Sequence, residues 1–143
     1  MYHIERSALI PYSARQMYDL VNDVDRYGEF LPWCGGGSVL DQSDGKITAE
    51  VVIAFKGIHK TFSTENTLSP YEEIHLRLIN GPFSELGGLW RFQELDESSC
   101  KISLDLEFGF SNKLVGAVIG PVFKKIADNM VDAFCKRAET IYS

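Results

Sequence analysis

The 143 residues carry a formal net charge of -6 and a pI near 5.0, with 45% hydrophobic and 24% charged positions. A chain of this length buries roughly 68 to 70% of its unfolded surface, enough for one domain over residues 1–143 without staples, and its acidic balance excludes a broad nucleic-acid footprint, so DNA is not an expected partner. Cys34, Cys100 and Cys135 are odd in number and far apart, which fits free thiols in a reducing cytoplasm.

Tyr2 to Ile10 alternates loosely and stops at Pro11, as a strand does. Ser13-Ala-Arg-Gln16 then forms a capping-box pattern and predicts a helix with Met17, Leu20, Val21 and Val24 as its buried stripe. Tyr27, Phe30 and Leu31 extend into a second short turn that Pro32 ends. After Gly35-Gly-Gly the period becomes two. Val39 leads to a turn at Asp44-Gly45, and Ile47, Ala49, Val51, Ile53 and Phe55 alternate with polar residues until Gly57. Phe62, Thr64, Asn66 and Leu68 share one side of the next strand, which Ser69-Pro70 ends. Ile74, Leu76 and Leu78 mark another, closed by Asn80-Gly81-Pro82, and Leu86, Gly88, Trp90 and Phe92 mark the one after it. Following a turn at Asp96 to Ser99, Ile102, Leu104, Leu106, Phe108 and Phe110 form a one-sided last strand. Strands joined by short turns predict an antiparallel meander with one wet and one dry face.

The chain closes with a helix predicted from about Asn112 to Tyr142. Val115, Ile119, Val122, Phe123, Ile126, Met130, Ala133, Phe134 and Ile141 fall on one arc, and Lys124, Lys125, Asp128, Asp132, Lys136 and Glu139 fall on the other. Between Leu114 and Val122 every residue is apolar, Gly or Pro, so something is expected to cover that half: the sheet, an apolar ligand, a protein or a transient membrane-surface contact through Leu114 to Phe123. Pro121 is expected to kink the helix or start its second segment, a hinge that would let residues 112–120 move as a lid. No run reaches the roughly 18 to 20 apolar residues of a membrane span, and no signal-peptide core precedes the first strand, which predicts a soluble, cytoplasmic protein.

The fold class that follows is α+β, a seven-stranded curved antiparallel sheet packed on a long C-terminal helix, with two short helices after the first strand. Space left between sheet and helix is where a pocket forms. His3, His59 and His75 lack metal-ligand spacing, and Asp23 and Asp25 face different ways on a helix, so capping fits them better than acid–base work. There is no nucleophile elbow, phosphate-cradling glycine motif or dinucleotide fingerprint. Arg137 falls inside the apolar arc, where it either anchors a polar group or snorkels at the helix end.

Ser7-Ala-Leu-Ile-Pro-Tyr-Ser-Ala-Arg-Gln-Met-Tyr, Val21-Asn-Asp-Val-Asp-Arg-Tyr-Gly-Glu-Phe-Leu-Pro-Trp-Cys34, Lys60-Thr-Phe-Ser-Thr, Gly81-Pro-Phe, Asn112-Lys-Leu and Asn129-Met-Val-Asp-Ala-Phe together resemble the START-like coenzyme Q-binding family, most closely its bacterial branch of ribosome association toxins. The resemblance spans nearly the whole chain and implies a helix-grip fold with a hydrophobic cavity and no catalytic residues. It also implies two activities, binding of ubiquinone or a similar isoprenoid lipid in support of respiration, and binding of the large ribosomal subunit to block subunit association. Pro121 departs from the helix former expected there. A ligand's ring is expected near the loops around Phe30, Trp33 and Phe83 and its tail along Phe62, Trp90, Phe108 and Phe123, with Leu31, Phe55, Leu78, Leu104, Val115, Ile119 and Met130 as further ligand-binding candidates. Apart from such a bound lipid, no cofactor or metal is expected. For the ribosomal reading, Lys113, Lys124, Lys125, Lys136 and Arg137 supply a basic strip, although Asp128, Asp132 and Glu139 interleave with it.

Overall fold

The computed structural model describes residues 1–142. Strand β1 (Tyr2–Ile10) is followed by helix α1 (Ala14–Asn22) and a 3-10 turn (Val24–Glu29). Strands β2 (Cys34–Ser43), β3 (Lys46–Phe55), β4 (Ile58–Ser69), β5 (Glu73–Asn80), β6 (Phe83–Asp96) and β7 (Ser99–Phe110) come next. Helices α2 (Lys113–Asp128) and α3 (Met130–Tyr142) close the chain. All pairings are antiparallel, in the order β1-β7-β6-β5-β4-β3-β2, so the meander starts with β2 at one edge and runs across the sheet until β7 pairs with β1, which forms the other edge. The short turns do what their residues require: Lys56 and Gly57 both take positive φ, at 49° and 81°, in the two-residue β3–β4 hairpin.

The start of α1 is set locally. The Gln16 amide donates to the Ser13 hydroxyl at 3.1 Å, and the Ser13 amide donates back to the Gln16 side chain at 2.9 Å. The helix buries Ala14, Met17, Tyr18, Leu20 and Val21, and Val24 is buried one element later in the 3-10 turn. Strand β2 begins at Cys34 and takes in Gly35 to Gly37, earlier than the period-two pattern places it. The reason is tertiary. A Cβ on Gly37 would stand 2.4 Å from the Val24 carbonyl, so glycine there lets the 3-10 turn lie directly on the strand.

The last helix is broken, though not at Pro121. That residue sits inside α2, and both it and Ala117, whose carbonyl lacks the usual amide partner, are on the exposed side of the helix, where solvent can reach that carbonyl. The break is Asn129, with φ -103° and ψ 1°. Its amide donates to the carbonyls of Lys125 and Ile126, and its side-chain amide takes Lys125 again at 2.8 Å. α3 restarts when Ala133 donates to the Asn129 carbonyl. The change of phase buries Val131, Phe134 and Ala138 and leaves Ile141 45% exposed, contrary to the single-helix arc.

Asp128 ties this rod to the sheet by accepting from Arg6 of β1 at 2.6 Å and Lys124 at 2.8 Å. The Tyr142 hydroxyl donates to the Gln16 carbonyl of α1. The apolar first half of α2 is covered on one side only: Gly116 rests on the Phe110 ring and Gly120 on Tyr2, whereas Leu114 and Val118 are 79% and 63% exposed. Among the described residues no helix is long and apolar enough to cross a membrane.

Candidate ligand-binding cavity

Residues from β3 and β7 line one internal space. On a flat sheet the four intervening spacings of about 4.8 Å would hold those strands roughly 19 Å apart. Yet Ala49 and Val51 of β3 line the same cavity as Leu104 and Leu106 of β7, so the sheet curls strongly around α2 and α3. Register shifts in the β2–β3, β4–β5 and β6–β7 ladders supply local bends.

The cavity has a volume of about 80 Å3. Val24, Tyr27 and Trp33 wall it from the 3-10 turn and the loop after it, Phe62, Thr64 and Asn66 from β4, Leu76 from β5, and Leu86 and Trp90 from β6; Phe123, Met130 and Phe134 close it from the helices. Two ring clusters bound it. Phe62 and Phe123 belong to one, in which Phe83 lies 5.6 Å from Phe62 and 4.9 Å from Phe123, edge to face. Trp90, Tyr27 and Phe134 belong to the other, with Phe134 5.4 Å from each of its partners. Thr64 and Asn66 are the polar exceptions besides the Tyr27 hydroxyl, which turns away to donate to the Val21 carbonyl. Burial pushes the Tyr27 phenol above its ordinary value. No other titratable side chain stands on this wall, so it holds no acid–base pair. A larger open groove of about 710 Å3 runs between Ser13, Tyr71 and Arg91, but both of its cations are engaged: Arg91 pairs with Glu73 at 3.1 Å, and Arg15 lies over the Tyr71 ring.

Of the residues expected on the wall, Trp33, Phe62, Trp90, Leu104, Phe123 and Met130 are brought together there. The others lie elsewhere. Phe30 packs edge to face on Phe134 and lies under the Arg137 guanidinium on an outer groove, and Leu31 is buried away from the cavity. Phe55 ends β3 beside Lys56, and Leu78 lies past the last β5–β6 pair. Phe83 and Phe108 form the rings behind Phe62 and Phe123, while Val115 and Ile119 precede Phe123 by two turns and one turn of α2. The physical reason is depth: alternation says which side of a strand is dry, and curvature decides which level of that side meets empty space. Thr64 and Asn66 were visible as inward polar positions on an otherwise alternating strand, whereas Val24, Tyr27 and Phe134 had no wall signal beyond burial.

Other expectations resolve as follows. Arg137 neither reaches the cavity nor points freely to water; it donates to Glu29 at 2.8 Å and clamps α3 to the 3-10 turn. Asp25 accepts from the Val39 amide, a structural role. The buried Cys34 thiol donates to the Gly36 carbonyl, and burial raises its pKa, which suits packing better than reactivity. The β1–β7 pairing places His3, Glu5 and Asp105 within 4.8 Å of one another on the exposed face, a juxtaposition no sequence spacing could reveal.

A family described as polyketide cyclase / dehydrase and lipid transport matches residues 10–135. The chain is 51% identical over 140 residues to a Pseudomonas aeruginosa protein named ribosome association toxin RatA, covering 98% of this chain and 97% of that one. It is 29% identical over 140 residues to the Xenopus laevis mitochondrial protein named coenzyme Q-binding protein COQ10 homolog B, covering 95% of this chain and 57% of that one. Among solved structures, the Zhui aromatase/cyclase from a Streptomyces species superposes with a TM-score of 0.85 at 18% identity, covering 99% and 96% of the two chains. The curved sheet gripping its C-terminal helices is therefore a helix-grip fold.

Proposed function

The chain belongs to the polyketide cyclase / dehydrase and lipid transport family, and on that premise we propose that it is a non-catalytic binder of an apolar, ring-bearing isoprenoid of the ubiquinone class, housed between the sheet and α2–α3. The observation that carries this reading is the cavity wall, apolar but for one polar pair and lacking any acid–base partner for Tyr27. The likeness to a relative named for coenzyme Q binding supports the ligand class.

At about 80 Å3 the space falls short of the roughly 300–1,000 Å3 of pockets for drug-sized ligands. Entry of a ring and tail therefore requires α2 to swing outward, and the break at Asn129, with Phe123 before it and Met130 after it on the wall, is the hinge this needs. Extraction of the purified protein with organic solvent, followed by mass spectrometry, should recover a quinone or prenyl lipid that a Phe123→Asp variant, checked for native circular dichroism, no longer carries. Equal lipid in the variant and the parent would refute the cavity as the carrier.

A second reading, association with the ribosome through the large subunit, is favoured by the name of the relative that is 51% identical. On the described surface Lys113, Lys125 and Lys136 make no ion pair, while Lys124 is engaged by Asp128 and Arg137 by Glu29. With three free cations on this strip, any rRNA contact through it is small and salt-sensitive. Sedimentation of cell extract on sucrose gradients should then place the protein with free large subunits at low salt and release it at high salt. Absence from that fraction at low salt would discard this reading.

A further inference from the structure

Resting on the reading that the cavity takes an apolar molecule, we propose that Asn66, held by Thr64, recognises a carbonyl oxygen on that molecule. The two residues stand two apart on β4, 6% and 5% exposed, and both project into the cavity. Polar groups buried in an apolar wall are costly unless hydrogen-bonded, so their bonds must be accounted for atom by atom. The Thr64 hydroxyl donates to Asn66 Oδ1 at 2.7 Å, which uses its one proton and orients the carboxamide. The two N–H donors of Asn66 have no acceptor among the described residues. A register shift against β5 between Ser63 and Thr64 lies immediately before the pair.

A ligand matched to this spot is apolar over most of its surface and presents one proton-free acceptor. A ketone, aldehyde or quinone oxygen meets that description, whereas a hydroxyl brings a proton that needs an acceptor of its own. A carboxylate or phosphate is excluded because no cation lines the wall. The pair thus fixes which end of the guest lies at β4 and favours a carbonyl over pure hydrocarbon there.

The test uses two probes of one shape, cyclopentanone and methylenecyclopentane, titrated into the full chain and followed by NMR. The Leu104 methyls report occupancy by either probe, and the Asn66 side-chain amide protons report the hydrogen bond. In the parent protein the ketone should shift the Asn66 amide downfield. In Asn66→Leu the ratio of ketone to hydrocarbon affinity should fall about tenfold. Thr64→Val, which keeps Asn66 but frees its orientation, should lower the ratio by a smaller factor and guards against a folding artefact in the first variant. Binding of both probes with an unchanged ratio in the two variants overturns this inference and leaves the cavity reading standing. Binding of neither probe to the parent overturns both.

Discussion

Single atoms decide several contacts here. The Tyr27 hydroxyl caps the Val21 carbonyl near the end of α1, so Tyr27→Phe strands a part-buried acceptor and should cost about 1–3 kcal/mol, read from urea denaturation. Gly37→Ala has no room, because its methyl would meet the Val24 carbonyl at 2.4 Å; the 3-10 turn must lift off β2, and a large drop in melting temperature should show it. Burial pushes the Cys100 thiol from an ordinary 9.0 up to about 11, with a smaller contribution from Cys135. The folded chain thus holds this proton over a range in which the unfolded chain has lost it. Its stabilising contribution is complete below about pH 9 and is lost as pH rises through about 11. Melting temperature should therefore fall across that window, less steeply in Cys100→Ala than in the parent; identical slopes would show that Cys100 does not carry the effect.

At the scale of elements, local rules and tertiary demands part company at the last helix. Ser13 and Gln16 form the box their spacing implies, because capping needs only residues three apart; Ser13→Ala should cost roughly 0.5–2 kcal/mol. Pro121 signals a break by the same local logic, yet the helix continues through it because the orphaned carbonyl faces water. Relieving that missing bond in Pro121→Ala should raise stability by about 2 kcal/mol, after allowing for the more flexible unfolded chain, and differential scanning calorimetry would measure it. The true break at Asn129 depends on how one short amide side chain competes for the Lys125 carbonyl, which no periodicity encodes. Strand β2 likewise starts early because its glycines accept a neighbouring backbone.

For the whole molecule, the rings of Phe62, Phe83, Phe108 and Phe123 are the keystone between sheet and helices. Phe123→Ala should cost about 3–5 kcal/mol and widen the cavity. By contrast, Leu114→Gln and Val118→Gln should shift stability by no more than about 0.5 kcal/mol, since both side chains are mostly exposed among the described residues; a larger loss would show that face of α2 is covered after all. Alternation, turn residues and caps, each acting over a few neighbouring positions, were enough to specify seven antiparallel strands, the meander of consecutive ones, the dry face and the presence of a covering helix. They also put Thr64 and Asn66 on the same side of their strand as Phe62 and Leu68. What only the tertiary structure decided was the curl of the sheet, the level at which its walls part, the site of the helix break, and which of many buried rings border empty space. Those outcomes sum small twists, bulges and packing choices over residues far apart in the chain, and no window of sequence contains that sum.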